Sequence, residues 1–219
     1  MKAVRAIIVP DERQPGGNKK LYLTFDDGPS MQTTGSVLKI LSDEHVSATF
    51  FVIAEKALRN EILLHEIVAQ DHTIGNHSLD HGYSAFFGPK KKIATWVEQS
   101  ELLFANLGVA PVGFRPPAGV VTPPLLRALE DRKMPLILWN VRFYDSVIPW
   151  TKARALRSLP HTANGSIVLL HDAQPQSRIE SFCETLRAYI RSAKSQGFEF
   201  AQLTEELCLK QATSNSFKP

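Results

Sequence analysis

The sequence predicts a single α/β domain built on a parallel sheet. Short apolar segments, rich in β-branched and aromatic residues, alternate about seven times with longer amphipathic segments. Such an alternation of strands and helices is typical of parallel α/β architectures. The length of 219 residues suits one domain, and a composition of 43% hydrophobic and 21% charged residues is that of an ordinary globular protein.

Seven segments have the character of strands, because each is short, apolar and bounded by Gly, Pro, Asn or Asp. They cover residues 21–25, 48–53, 73–76, 112–115, 135–141, 166–171 and 198–203. Between them, apolar residues recur at three- and four-residue spacing, as in Val37, Leu38 and Leu41. This spacing indicates amphipathic helices that cover the sheet.

The ends of the chain are less regular than its middle. Residues 11–20 are polar and rich in turn formers, so we expect residues 1–20 to form an N-terminal lead-in. Residues 21–209 are expected to form the folded domain, and residues 210–219 a C-terminal tail. Cys183 and Cys208 lack the spacing of a disulfide framework or a zinc site, and both are predicted to be free thiols in helices.

Charge and hydropathy limit the kinds of partner. The net charge is only +3, and apart from residues 90–92 the basic residues are dispersed, which argues against nucleic-acid binding. No apolar run approaches the length of a transmembrane segment. The apolar run near the N-terminus is interrupted by Arg5 and ends at Pro10, unlike an export signal. We therefore expect a cytoplasmic protein, or an envelope or secreted one if an export segment precedes this chain.

Two adjacent carboxylates follow the first predicted strand. In parallel α/β folds, functional groups collect where strands end. Asp26 and Asp27 lie at such an end and are followed by a Gly-Pro turn. A turn or helix cap is the ordinary explanation of one Asp-Gly pair, but two charged groups on a strand end need partners and favour a functional site.

Two histidines follow the third predicted strand. His77 and His81 are four residues apart, and we expect them to lie on one helical turn with both imidazoles pointing the same way. A random pair of this spacing is usually a surface feature. Together with one carboxylate from the first strand end, however, the pair would form a set of three ligands that leaves positions open, as a catalytic metal requires.

Three further strand ends carry polar candidates. Arg115 precedes two prolines, which would hold it in place to orient a carboxylate, although an exposed Arg before a turn is equally compatible with these residues. His171 ends a fully apolar strand and is a candidate acid or base, or else a structural histidine. Trp139, after the fifth strand, would alone be assigned to the core. No chemical role is expected for the remaining histidines, which are His45, His65, His72 and His161.

Five motifs in order give the chain a family resemblance. TFDDGP, HSLDH, RPPAG, WNVRFYD and LLHD occur with the spacing of the polysaccharide deacetylases, the NodB-homology family of carbohydrate esterase type. The resemblance covers about residues 20–205. It implies a distorted, incomplete (β/α)7 barrel with a groove at the carboxyl ends of the strands. It also implies one divalent ion, usually zinc, with cobalt, nickel or manganese accepted in some members.

The resemblance assigns a role to each matching position. Asp26 matches the general base of the family, and Asp27 matches the metal-binding Asp. His77 and His81 match the two metal-binding histidines.

The remaining matches concern the acid and the groove. Arg115 matches the Arg that pairs with the catalytic Asp, His171 the general acid, and Asp145 the Asp that tunes this histidine. Four further positions match or adjoin residues that line the groove and the pocket for the acetyl methyl group: Pro116, Ala118, Trp139 and Leu169.

The chain departs from the family pattern at three positions. Ala118 stands where a Tyr is usual, Arg142 where an Asp is frequent, and Ser146 where a Trp is frequent. All the implied catalytic and metal positions are intact. The departures therefore concern the identity of the substrate more than the chemistry.

Three functions follow from the resemblance. The first is a metal-dependent hydrolase that removes the acetyl group from an N-acetylglucosamine-containing glycan, such as peptidoglycan or a chitin-like oligosaccharide, and releases acetate. The second is an amidohydrolase of the same fold that acts on a small or lipid-linked amide. The third is a glycan-binding domain without activity, against which the intact Asp26 and His171 argue.

Overall fold

The computed structural model describes residues 6–7 and 19–214. Most of the predicted lead-in and the end of the predicted tail lie outside these residues. The strands are β1 (Ala6–Ile7), β2 (Lys19–Asp26), β3 (Thr49–Val52), β4 (Thr73–Asn76), β5 (Leu136–Ile137), β6 (Val141–Arg142), β7 (Ser166–His171) and β8 (Phe198–Ala201).

Helices alternate with these strands along the chain. The α-helices are α1 (Thr34–Asp43), α2 (Ala54–Arg59), α3 (Glu61–Ala69), α4 (Lys90–Asn106), α5 (Pro123–Asp131), α6 (Lys152–Ser158), α7 (Ile179–Ser195) and α8 (Glu205–Ser214). Short 3-10 helices lie at Tyr83–Phe87, Pro117–Gly119, Leu159–His161 and Gln176–Arg178. No helix in these parts of the chain is long and apolar enough to cross a membrane.

Strand β2 is the centre of an entirely parallel arrangement. It pairs with β7 along one edge, and with β8 and then β3 along the other. Beyond β3 and β4, single bridges through Phe114 continue the order to β5, while β6 pairs with β7. Within the described residues β5 and β6 do not pair, so the barrel stays open there. The predicted α/β fold, an incomplete and distorted barrel, is confirmed.

Two predicted strands differ from those observed. Residues 112–115 contribute only single bridges at Phe114, and residues 135–141 divide into β5 and β6. In the second segment the guanidinium of Arg115 donates to the carbonyl oxygens of Ile137 and Leu138, at the point where β5 ends. A side chain thus takes backbone acceptors that a neighbouring strand would otherwise use.

The core places the carboxyl ends of β2, β4 and β7 next to one another. Apolar side chains of β2 and β3 are buried, and the rings of Phe25 and Phe50 stack with centroids 5.0 Å apart. In the parallel register, Asp26 pairs with His171 across β2 and β7. Val52 likewise pairs with Asn76, which directly precedes His77. Residues distant in sequence therefore meet at one edge of the sheet.

Candidate active site

The two aspartates at the end of β2 point to different partners. Asp26 is the last residue of the strand and is buried, and its Oδ1 accepts a hydrogen bond of 2.7 Å from Arg115 Nη1. Asp27 leaves the strand with a φ of 73°, in the left-handed region. This turn of the backbone sends its carboxylate towards the histidines instead, with Oδ1 3.3 Å from His77 Nε2 and 3.2 Å from His81 Nε2.

The histidines lie on an irregular loop, so the predicted helical turn is wrong. Ser78 and His81 have φ values of 79° and 62°, which lie outside the range of a regular right-handed α-helix. The loop is held by local hydrogen bonds: Asn76 Oδ1 accepts from the Ser78 N–H at 2.8 Å, and Ser78 Oγ from the His81 N–H at 3.0 Å. These bonds bring both imidazoles to Asp27 without a helix.

His77 is fixed in one tautomer by its surroundings. Its Nδ1 lies 2.7 Å from the carbonyl oxygen of Arg115, which can only accept, so Nδ1 carries the proton. Nε2 is then the ring nitrogen that faces Asp27 and that could offer a lone pair to a metal ion. Histidine ligands of metals are commonly oriented in this way by a hydrogen bond to the second ring nitrogen.

Asp27, His77 and His81 fit a divalent metal ion. One ligand atom from each lies within 4.8 Å of the others. Asp27 Oδ1 is buried, and no described residue makes a hydrogen bond to it. Burial opposes its charge, but the two imidazoles outweigh that effect and hold the pKa of Asp27 well below its usual range. An anionic oxygen and two imidazole nitrogens form the kind of ligand set that zinc prefers.

Arg115 is a buried ion-pair partner and not an exposed residue before a turn. Its side chain is fully buried, and its guanidinium donates to Asp26 and to Thr24 Oγ1 at 2.8 Å. It also stacks on the Phe51 ring at 3.7 Å. A planar guanidinium with this many fixed contacts holds the Asp26 carboxylate in one orientation.

His171 is paired with a buried carboxylate. Its Nδ1 lies 2.9 Å from Asp145 Oδ1, and its backbone N–H donates to Asp145 Oδ2 at 2.8 Å. Burial disfavours the imidazolium, but the hydrogen bond and charge of Asp145 outweigh it and raise the pKa of His171 to about 9. The Nε2 of this side chain can therefore carry a proton at neutral pH and donate it.

The predicted groove residues lie around these groups. Pro116 is buried, whereas Ala118 is exposed with a φ of 52°. Trp139 is partly exposed and packs so closely on the turn that a Cβ at Gly119 would be 2.7 Å from its ring. Leu169 is buried in β7, where it pairs with β2 and β6.

A family comparison agrees with this geometry. The model of the family described as polysaccharide deacetylase matches residues 13–137, more than half of the chain. The chain belongs to the polysaccharide deacetylase family. The resemblance carried by the five motifs is thereby confirmed.

Relatives within the polysaccharide deacetylase family are similar over most of the chain. It is 30% identical over 200 residues to the peptidoglycan-N-acetylglucosamine deacetylase PgdA of Listeria monocytogenes, covering 91% of this chain but only 41% of PgdA. It is 32% identical over 175 residues to a chitooligosaccharide deacetylase of Rhizobium leguminosarum bv. phaseoli, covering 78% of this chain and 76% of that protein. The chain thus spans less than half the length of PgdA.

A solved structure gives the same architecture. The crystal structure of the Bc1960 peptidoglycan N-acetylglucosamine deacetylase superposes with a TM-score of 0.81 at 25% sequence identity, covering 92% of each chain. The similarity therefore extends over most of the chain. Family membership and the Asp27, His77 and His81 cluster together support a metal cofactor.

Sequence reasoning missed two residues next to His171. Gln174 Nε2 donates to Asp145 Oδ2 at 3.0 Å and to the His171 carbonyl at 2.9 Å, which fixes the Asp145 and His171 side chains relative to each other. Asp172 is fully buried, accepts a hydrogen bond from Thr34, and leaves no space for a side chain at Gly28. Burial raises the pKa of Asp172 to about 7. The LLHD motif gave the only signal for Asp172, and nothing in the sequence singled out Gln174.

The raised pKa of His171 predicts a pH-dependent stability in the metal-free protein. Folding favours the imidazolium, so this contribution is fully present below the ordinary pKa of 6.5 and is lost as the pH rises through about 9. We expect a decrease on the order of 2–3 kcal/mol in the free energy of unfolding across that window. Denaturant titrations at several pH values between 6 and 10, which span the two pKa values of His171, measure this decrease in the free energy of unfolding.

The matched control for this titration is Asp145→Asn. Without the charge of Asp145 the imidazolium loses its main stabilising partner, so the variant should show a much smaller decrease over the same range. An equal decrease in both proteins would assign the titration to another group.

Proposed function

We propose that this chain is a metal-dependent hydrolase that removes the acetyl group from an N-acetylglucosamine-containing glycan and releases acetate. The observation that carries the proposal is one of geometry. Asp26, held by Arg115, and His171, held by Asp145, are neighbours across β2 and β7, beside a cluster of three potential metal ligands. The Listeria relative, a peptidoglycan-N-acetylglucosamine deacetylase, and the Rhizobium relative, a chitooligosaccharide deacetylase, support the same chemistry.

The metal would be held by Asp27, His77 and His81. When bound, a divalent ion supplies Lewis acidity at the acetyl carbonyl group. The fourth side chain near these ligands is Asp26, whose Oδ2 lies 3.7 Å from His77 Nε2. Because Asp26 uses its other oxygen for Arg115, this oxygen remains free to accept a proton.

The hydrolysis then needs one base and one acid. Asp26 takes a proton from the attacking water, whose oxygen forms a bond to the acetyl carbon. His171 delivers a proton to the amide nitrogen as the carbon–nitrogen bond breaks, because without this proton the nitrogen would have to leave as an amide anion, a very poor leaving group. The products are acetate and a free amino sugar. In the proposal the N–H at the exposed turn of Ala118 assists by facing the carbonyl oxygen.

Metal dependence is the first test of this function. We expect purified protein to bind about one divalent ion per chain, and chelation to abolish acetate release until zinc or cobalt is added back. His77→Ala should lose both the metal and the activity, since it removes a ligand that is almost fully buried. Metal analysis and acetate release from chitotetraose, with N-acetylated small amides in parallel, give the readouts.

His65→Ala is the matched control for the metal test. His65 lies on α3 with a half-exposed side chain near Glu61, away from the cluster. The control should keep metal and activity. Full acetate release by the chelated protein, or by His77→Ala, would contradict the proposed function, and release from small amides alone would favour the amidohydrolase.

A further inference from the structure

Arg142 carries an exposed charge that is held rigidly by two aromatic rings. Its guanidinium carbon lies 3.9 Å from the ring centroid of Tyr144 and 5.5 Å from that of Trp139. Both distances are within the range of cation–π interactions. The side chain is nevertheless exposed at the surface. The stack fixes the position of the group without covering it.

No acidic side chain neutralises this guanidinium within the part of the chain that the structure describes. Some other cations of the described surface are paired with carboxylates: Arg132 lies 2.7 Å from Glu101, and Arg187 lies 2.9 Å from Asp43. Stacking engages the faces of a guanidinium and leaves its in-plane N–H groups available. Arg142 therefore offers a fixed, unneutralised fork of hydrogen-bond donors to solvent.

Arg142 also lies beside the candidate active site. In β6 it pairs with Leu169 of β7, two residues before His171. The Trp139 ring that it contacts is the same ring that lies 5.6 Å from the Arg115 guanidinium. One aromatic side chain thus separates the exposed cation from the buried cation that holds Asp26.

We propose that Arg142 is a specificity-determining residue that binds a carboxylate carried by the glycan next to the N-acetyl group that is removed. The inference rests on the proposed function and names its substrate class, an anionic N-acetylated glycan in preference to a neutral chitin-like one. A planar carboxylate matches the guanidinium fork, and because the rings already order the side chain, little rotamer entropy is lost on binding. An Asp at this position would repel the same group.

The test compares an acidic glycan with its uncharged ester, and uses a neutral chitin-like glycan as a reference. The probes are a tetrasaccharide of alternating N-acetylglucosamine and N-acetylmuramic acid, its carboxyl methyl ester, and neutral chitotetraose. We expect zinc-loaded wild-type protein to deacetylate the acid with a kcat/KM about tenfold above that of the ester, the size of one charge-assisted hydrogen bond at an accessible site. This ratio should decrease as salt is added.

Three variants test whether the ratio of kcat/KM for the acid to kcat/KM for the ester depends on Arg142. In Arg142→Gln the acid-to-ester ratio should fall close to one, whereas Arg142→Lys, which keeps the charge without the fork, should retain part of it. Arg127→Gln removes an exposed charge from α5, outside the candidate site, and should keep the full ratio. Thermal unfolding of each variant establishes that it is folded.

The outcomes separate this inference from the proposed function. A wild-type ratio near one, or an unchanged ratio in Arg142→Gln, overturns the role of Arg142 while acetate release from chitotetraose still supports the deacetylase. Absence of acetate from all three probes overturns the proposed function, and the inference with it.

Discussion

We expect Asp26→Asn to lower kcat by about 10²–10⁴-fold and to leave the metal in place. General-base catalysis contributes about this factor, and the amide cannot accept the proton from water. Asn Oδ1 can still accept the hydrogen bond from Arg115, so the geometry of the site is kept, although the buried guanidinium loses its counter-charge and the variant is less stable than the wild-type protein. Asp26 is also the carboxylate farther from the imidazoles, with an oxygen 3.7 Å from His77 Nε2.

Asp27→Asn is the matched variant. We expect it to lose the metal, whereas Asp26→Asn should keep it. Its Oδ1 lies 3.3 and 3.2 Å from the Nε2 atoms of His77 and His81, so the loss of charge weakens metal binding first. Excess zinc should then restore part of the activity, whereas it should not rescue Asp26→Asn. Metal content and kcat, measured for both variants with and without added zinc, give the comparison. Loss of metal from Asp26→Asn with retention in Asp27→Asn would reverse the two assignments.

Arg115→Met destabilises the fold by about 3–5 kcal/mol, the usual cost of leaving one partner of a buried ion pair behind. The side chain of Arg115 is fully buried and that of Asp26 is only 4% exposed, so water cannot replace the guanidinium. Thr24 Oγ1 and the carbonyl oxygens of Ile137 and Leu138 also lose their donor. Denaturant unfolding at neutral pH measures the change.

Two controls interpret the Arg115 result. Arg132→Met removes a more exposed ion pair with Glu101 and should cost no more than about 1 kcal/mol. The double variant Arg115→Met with Asp26→Leu removes both buried charges and should recover much of the stability. If the single variant unfolds no more easily than Arg132→Met, the buried pair of Arg115 and Asp26 does not stabilise the fold.

The chemistry of the site was predictable from the sequence because it is local. Asp26 and Asp27 follow an apolar strand directly, and His171 ends another, so the strand ends alone indicate where charged groups need partners. The parallel register then brings Asp26 and His171 together. The family resemblance supplied the separate roles of the two aspartates.

The geometry was less predictable because it depends on contacts between distant segments. Two contacts hold the loop that contains His77 and His81 in its irregular conformation. Asn76, in the preceding strand, accepts a hydrogen bond from the Ser78 N–H, and the Asp80 carboxylate accepts one from Trp96 Nε1 at 2.8 Å. A spacing of four residues alone suggests a helix. Residues 135–141 likewise divide into two strands where the Arg115 side chain donates hydrogen bonds to the carbonyl oxygens of Ile137 and Leu138, a contact that the local sequence does not reveal.

The partners of Asp145 show the same limit. Gln174 and the backbone of His171 converge on it across 29 and 26 positions of sequence. Nothing in a single motif shows that these groups meet. The same holds for the stack of Trp139, Arg142 and Tyr144. Arg142 is unusual in the fourth motif, but its contacts with the two rings are visible only in the folded structure.

The central claim is that the Asp26 and His171 site breaks an amide bond of an N-acetylated sugar. The most direct measurement counts acetate and newly formed primary amines released from chitotetraose by zinc-loaded protein, with Asp26→Asn as the matched blank. We predict equal amounts of the two products from the wild-type chain and a decrease of about 10²–10⁴-fold in both from the variant. No acetate from the wild-type protein, or acetate without a matching amine, would contradict the account.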